Sequence, residues 1–372
     1  MQEQKSQKSC ITAINSKVIE IPLKGTWKIS YYAANTRPHA IIEIITDDGI
    51  RGYGEASPAP AFMGETAYTI DMVIQKYIKP CLIGKNIFDI EKIHELMDES
   101  VYGNYAAKAC VDIALYDAMG KTLQLPVYKL LGGKYRDEVD LSWVVGIKED
   151  LSQAVEEAEH YVNLGYKTIK LKVGNSPKQD YQLVKTVRTH FGDKIKIRLD
   201  ANQGYDHVTA IKLFRRLEEF CLESIEQPVK RWDIEGMKKV RESLDVPIMA
   251  DESVSNFNEA LNVVARDAAD LFNIKVGKVG GLWPAKKIAT VVEAAGMHAT
   301  AGSNLELGIG SAASIHFVAS SRVLSYPNDL LLGIDLHQKD IVRTKFKVED
   351  GKVSCPDLPG LGVEVDVDVF RG

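Results

Sequence analysis

At 372 residues, 45% of them hydrophobic and 26% charged, the chain is long enough for one large barrel or two domains, and its composition is neither disordered nor fibrous. Its formal net charge of -5, with no cationic cluster longer than pairs such as Lys238-Lys239 and Lys286-Lys287, excludes the basic face that nucleic acid demands. Five scattered cysteines, Cys10, Cys81, Cys110, Cys221 and Cys355, make no Cys-x-x-Cys pair for zinc or redox chemistry and fit reduced thiols in a cytoplasm.

Residues 1–10 lack the apolar core of a signal peptide and read as a disordered polar tail; no apolar run of about 18 residues follows to mark a membrane span. Strand-like segments over 11–21 and 39–46, with a hairpin turn at Asp47-Asp48-Gly49, open an antiparallel sheet. Helical periodicity then covers 66–79, 87–97 and 106–122, the last with small residues on one face and Asp112 and Asp117 among them. Strands followed by helices predict an α+β domain over 11–135.

After Leu131-Gly132-Gly133 the texture changes to short apolar strands alternating with amphipathic helices. The strands fall at 139–146, 168–173, 195–200, 224–226, 248–251, 271–275 and 298–302, with 330–335 as the candidate eighth. Their ends recur roughly every 24 to 28 residues, somewhat below an even eightfold division of a closed β/α barrel, here expected over 136–340. The segment 341–372 alternates again and is expected to return to the first domain.

Active sites of such barrels form at the carboxyl ends of the strands, where this sequence places Lys170 and Lys172, then Asp200, Glu226, Asp251, and finally Lys275. Three carboxylates from consecutive strands repel one another unless a cation neutralises them, and an all-oxygen set favours Mg²⁺ or Mn²⁺ over Zn²⁺. Taken singly, each acid also reads as an ordinary strand-end residue capping the following helix. Lys170 and Lys172, two apart, share one face of a strand and reach one pocket. Lysines held close together, near a metal, are expected to lower each other's pKa and leave one neutral amine as a base. Lys275 closes an apolar run on the opposite side of the mouth; its rival Lys278 lies in the glycine-rich exit that follows.

Lys170-x-Lys172, Asp200-Ala201-Asn202, Glu226-Gln227-Pro228, Asp251-Glu252-Ser253 and Asn273-Ile274-Lys275 with Gly280-Gly281 together resemble the enolase superfamily, in its muconate-lactonizing subgroup. The resemblance runs from Gly52-Tyr53-Gly54-Glu55 to Pro359-Gly360-Leu361-Gly362. It implies an α/β fold, a modified TIM barrel (β/α)7β under an α+β capping domain formed by the N-terminal region and the C-terminal tail. It also implies Mg²⁺ on Asp200, Glu226 and Asp251, Lys172 and Lys275 as an acid/base pair, and Lys170 tuning Lys172 and holding a substrate carboxylate. A homo-oligomer acting on a small carboxylate is expected from the same resemblance. The mandelate-racemase branch uses a histidine where this seventh strand ends Thr300-Ala301-Gly302-Ser303-Asn304; His298 stands at that strand's beginning.

The shared step is removal of a proton next to a carboxylate through a metal-stabilised enolate. Its outcome is racemisation or epimerisation of an amino-acid derivative or dipeptide, muconate-type cycloisomerisation, or dehydration of the o-succinylbenzoate synthase kind. A silent barrel serving as a binding protein is the reading from another class. Dipeptide epimerases of the family carry an Asp-x-Asp on the eighth strand for the substrate ammonium; here the region reads NDLLLGIDLH, leaving Asp329 or Asp335 to serve alone. Substrate contacts are expected from the capping loops 24–35 and 57–65. Lys28, Tyr31 and Tyr32 would meet an anionic or aromatic group, and Phe62 and Met63 would exclude water, unless these aromatics simply pack the cap. Trp143, Asn202, Asn304, Glu306 and Asp335 complete the candidate pocket.

Overall fold

The computed structural model describes residues 9–30 and 32–370. Residues 1–8 of the predicted tail and the candidate Tyr31 lie outside the described residues, whereas Ser9 is buried and Cys10 bridges Asn86.

Strands β1 (Ile11–Ile29), β2 (Tyr32–Thr46) and β3 (Arg51–Ala56) form an antiparallel sheet with β2 in the centre. The turn at Asp47-Asp48-Gly49 joins β2 to β3, with Gly49 at φ 82. The segment 24–35, expected as a loop, is instead the end of the β1–β2 ribbon. Its register slips between Pro22 and Trp27, and the freed backbone pairs elsewhere: Lys24 N–H donates to Leu336 O at 2.8 Å and Leu23 bridges His337.

The helix Tyr105–Leu123 is buried from Ala106 to Gly120 because small residues let neighbours approach on every side. A Cβ on Gly52 or Gly54 of β3 would fall 2.1 Å from Ala114 O or 1.9 Å from Cys110 O, so only glycine lets this sheet and helix touch. Asp112 on the same helix accepts from Leu282 N at the start of the barrel helix Leu282–Ala294, and Asp117 accepts from Tyr53 N and Leu361 N. Buried aspartates thus join cap, barrel and C-terminal segment.

The predicted strand 139–146 divides. β4 (Glu138–Asp140) leaves the barrel, and β5 (Trp143–Val145) begins it. β6 (Thr168–Lys172), β7 (Lys196–Asp200), β8 (Ser224–Glu226), β9 (Ile248–Ala250), β10 (Leu271–Ile274) and β11 (His298–Ala301) follow in parallel, each neighbouring the next. No strand forms at 330–335, where a 3₁₀ turn spans Gly333–Asp335. The ring closes earlier, through single bridges of Leu324 and Asp329 to the β11 side and of Asn328 to Leu141. Asn328 makes this possible: its side chain accepts from Ala301 N and donates to Asp140 O, replacing ladder bonds that an eighth strand would supply.

The last segment returns along the seam. Val342 bridges Val365, Gly360 bridges Pro126, and Phe370 lies 5.8 Å from the Tyr53 ring; β12 (Val348–Glu349) and β13 (Lys352–Ser354) add to β4. No helix among the described residues is long and apolar enough to cross a membrane.

Candidate active site

In a parallel ladder, residues paired across strands point to the same side of the sheet. Lys170 pairs with Arg198 and Lys172 with Asp200, and Asp200 with Glu226, so period-two alternation aims all five inward. Each is buried, with Asp200 and Arg198 at 0% exposure. One carboxylate oxygen from each of Asp200, Glu226 and Asp251 lies within 4.8 Å of the others, a donor set that fits a metal ion.

The lysines occupy the spaces between these acids. Lys172 Nζ donates to Asp200 at 2.5 Å and to Asn202 Oδ1 at 2.9 Å. Lys275 Nζ donates to Asp251 at 2.7 Å and sits 4.7 Å from the centre of the Phe62 ring. Lys278 also reaches Asp251, at 2.8 Å, and reaches the backbone oxygens of Asp251 and Asn273. The rival lysine therefore braces the third acid from behind, while Lys275 faces the pocket.

Lys170 is held at 2.9 Å by Glu226 and 2.7 Å by Asp329, whose other oxygen takes Ser142 Oγ and approaches Arg198 at 3.4 Å. Asp329 is thus the counter-ion of Lys170 and Arg198 in this structure. Burial works to lower Lys170 and Lys275, but adjacent carboxylates outweigh it and hold both above the ordinary lysine value. Burial, then the Asp200 charge, pushes Glu226 up to about 8; Asp251, for which Lys275 and Lys278 overcome the effect of burial, is held well below the carboxylate range.

Lys172 and Lys275 open on one cavity of about 70 Å³, lined by Trp27, Ile29 and Tyr32 of the ribbon, Ala59 and Phe62, Arg37, Asn202 and the turn Ser303-Asn304-Leu305. β6 and β10 stand four places apart in a ring of seven strands and one closing segment, which sets the two lysines on opposite walls. The ribbon closes over them: Ser30 Oγ donates to Asn202 O at 3.2 Å, and Lys28 O accepts from Ile147 N at 2.9 Å.

Of the other candidates, Tyr32, Phe62, Asn202 and Asn304 line this cavity, and Met63 touches Asn304. Lys28 lines the adjoining groove, which also reaches Lys172, and lies 3.9 Å from Glu149. Three are placed elsewhere. Trp143 pairs with Ile169, one residue off the inward register, and stacks on Tyr161 outside the barrel with centroids 3.3 Å apart. Glu306 folds back to accept from Ser303 Oγ and Asn304 N, shaping the turn. Asp335 lies near Lys24, Tyr161 and Tyr166, its carboxyl raised to about 6 by burial.

Arg37, Arg198 and Glu252 were not singled out by the sequence. Arg198 was legible, because it precedes Asp200 by two residues as Lys170 precedes Lys172. Arg37 was not, since the contact that brings it to the site, to Asn304 O at 2.8 Å, joins residues 267 apart in the chain.

Comparison with known proteins shows the family. The family models for the mandelate racemase / muconate lactonizing enzyme N-terminal domain and for the enolase C-terminal domain-like fold match residues 13–132 and 153–369. The chain is 36% identical over 362 residues to the N-succinyl-L-Arg/Lys racemase of Bacillus cereus, covering 97% of each. It is 37% identical over 349 residues to the L-Ala-D/L-Glu epimerase of Clostridium acetobutylicum, covering 93% of this chain and 96% of that one. A crystal structure of muconate lactonizing enzyme from Pseudomonas fluorescens superposes with a TM-score of 0.94 at 31% identity, covering 98% and 99%. The chain belongs to the enolase superfamily, in its muconate-lactonizing subgroup. It is an isomerase of that superfamily.

Proposed function

We propose that the enzyme racemises or epimerises an amino-acid derivative or dipeptide by passing the proton on the carbon next to a carboxylate between Lys172 and Lys275. The observation that carries this reading is the meeting of both lysines, from opposite walls, in one cavity, each with its own carboxylate partner. A cycloisomerase needs only one proton-transfer group; two on opposite walls favour removal on one face and return on the other.

Asp200, Glu226 and Asp251 are the residues that would hold Mg²⁺, or Mn²⁺ in its place. Bound there, the ion supplies the positive charge that a substrate carboxylate needs when the adjacent carbon gives up its proton. Lys172 takes the proton from one enantiomer while Lys275, in its protonated form, delivers one to the opposite face of the same carbon; for the other enantiomer the two exchange roles. Lys170, pinned between Glu226 and Asp329, adds a fixed positive charge beneath the site. Phe62, with the ribbon, excludes water from the exposed carbanion.

The N-acyl form is favoured over a free amino terminus. Asp329 is consumed by Lys170 and Arg198, and Asp335 does not line the cavity, so no carboxylate among the lining residues awaits an ammonium. The test is incubation of N-succinylamino acids, dipeptides and muconates in deuterated water with Mg²⁺. Deuterium at the α-carbon of both enantiomers of one amino-acid derivative is expected. Lactone formation from muconate without such exchange would replace this reading with the cycloisomerase one.

A further inference from the structure

Asn202 stands in the left-handed region at φ 42, a conformation asparagine tolerates, with its N–H on Asp200 Oδ1 at 2.9 Å. Its side-chain amide is held at both ends. Oδ1 accepts from Lys172 Nζ at 2.9 Å, and Nδ2 donates to Glu252 Oε1 at 3.1 Å. The remaining Glu252 oxygen has no hydrogen-bond partner although the residue is only 2% exposed.

The chemistry of these groups allows one orientation. Oδ1 meets a lysine nitrogen that donates to it and Nδ2 meets a carboxyl oxygen that accepts from it, so each end of the amide faces its complement. Turned over, it would set oxygen against oxygen and nitrogen against nitrogen. We propose that Glu252 is a positioning residue for Lys172, acting by fixing the Asn202 amide so that its oxygen always faces the lysine. This rests on the reading of Lys172 as one of two bases.

The consequence follows from the valence of an amine. A neutral lysine has two N–H groups and one lone pair. Asp200 and Asn202 take the two N–H groups, which leaves the lone pair for the cavity that Lys172 lines. Lys275 lacks this arrangement: among the described residues its hydrogen-bond acceptor is Asp251, and its other close neighbour is the Phe62 ring. Glu252 therefore acts on one half of the two-base pair, and its loss is directional.

The experiment measures α-deuterium exchange separately from each enantiomer in the Mg²⁺-loaded enzyme, for Glu252→Ala and Glu252→Gln. The enantiomer served by Lys172 is the one that loses exchange in Lys172→Ala. Glu252→Ala is expected to slow exchange from that enantiomer by about ten-fold or more relative to the other, since small misplacements of a base are costly. Glu252→Gln, which keeps an oxygen for Asn202 Nδ2, is expected to restore most of the rate. Equal slowing of both enantiomers overturns the proposal, as does a glutamine variant no better than alanine with weakened Mg²⁺ binding by calorimetry, which would make Glu252 a metal-site residue. A second readout needs no substrate: the Asn202 side-chain amide protons, observed by NMR, should exchange slowly with solvent in wild type and Glu252→Gln and rapidly in Glu252→Ala. If no compound exchanges deuterium while this amide pattern holds, the wiring stands and the two-base reading falls. If the amide is indifferent to Glu252, the wiring falls whatever the enzyme turns over.

Discussion

A lysine two residues from another, and an acid at the end of each of three consecutive strands, mean little singly; their value lies in what period two does to them. Because β6 and β7 pair Lys170 with Arg198 and Lys172 with Asp200, one register fixes four charges in the same interior. Lys172→Ala is therefore expected to lower α-proton exchange from one enantiomer by about a hundred-fold or more while Lys275→Ala does so for the other, followed by NMR in deuterated water. Equal losses from both enantiomers in each variant would mean a single base. Asp200→Asn removes one of three negative charges around the ion and should weaken Mg²⁺ binding at least about ten-fold, ~1.4 kcal/mol, by calorimetry. Most of this cluster was legible in the sequence because it obeys local periodicity. The contact of Asp329 with Lys170 was not read, and Glu252 was read only as part of a motif, because what each touches, Lys170 159 residues away and Asn202 50 away, is set by barrel closure rather than spacing.

At the scale of elements, the site depends on strand ends approaching the turns beside them. Gly174, just after β6, has φ +105, and a Cβ there would fall 2.3 Å from Ala201 O and 3.3 Å from Ser30 Cβ. It is the point where the Lys172 strand, the Asp200–Asn202 turn and the ribbon tip converge. Gly174→Ala should destabilise the fold by about 1–3 kcal/mol in urea titration and also loosen Mg²⁺ binding, because the strain is relieved by moving the turn that carries Asp200. Destabilisation with intact Mg²⁺ affinity would show that the turn does not yield. The elements that sequence periodicity missed share a cause. Segment 24–35 has mixed polarity because the ribbon lies over a polar mouth, and the closing segment 324–329 lacks a strand pattern because Asn328, not a ladder, satisfies its neighbours.

For the molecule as a whole, the cap must stay registered on the barrel, and one buried contact couples that register to pH. Glu55 of β3 accepts from Leu307 N at 2.6 Å and Gly310 N at 2.9 Å, at the start of the barrel helix Gly308–Ala319, and meets His39 Nδ1 of β2 at 3.0 Å. Burial, then the Arg37 charge, lowers His39 to about 3, whereas burial raises Glu55 to about 7 against those backbone donors. The two carry opposite signs. A histidine kept neutral in the fold contributes stability that is complete above 6.5 and is lost as pH falls from there toward 3, because the unfolded chain binds the proton first. A carboxyl raised in the fold contributes stability that is complete below 4.5 and is lost as pH rises from there to 7. Stability of wild type relative to His39→Gln should therefore shrink by about 2 kcal/mol between pH 7.5 and 5, at ~1.4 kcal/mol per unit below 6.5. Relative to Glu55→Gln it should grow over the same interval. Denaturant titrations of the three proteins at several pH values measure both slopes. General acid weakening would give both differences the same sign, whereas opposite slopes from two side chains in contact would locate the pH response at the junction of cap and barrel.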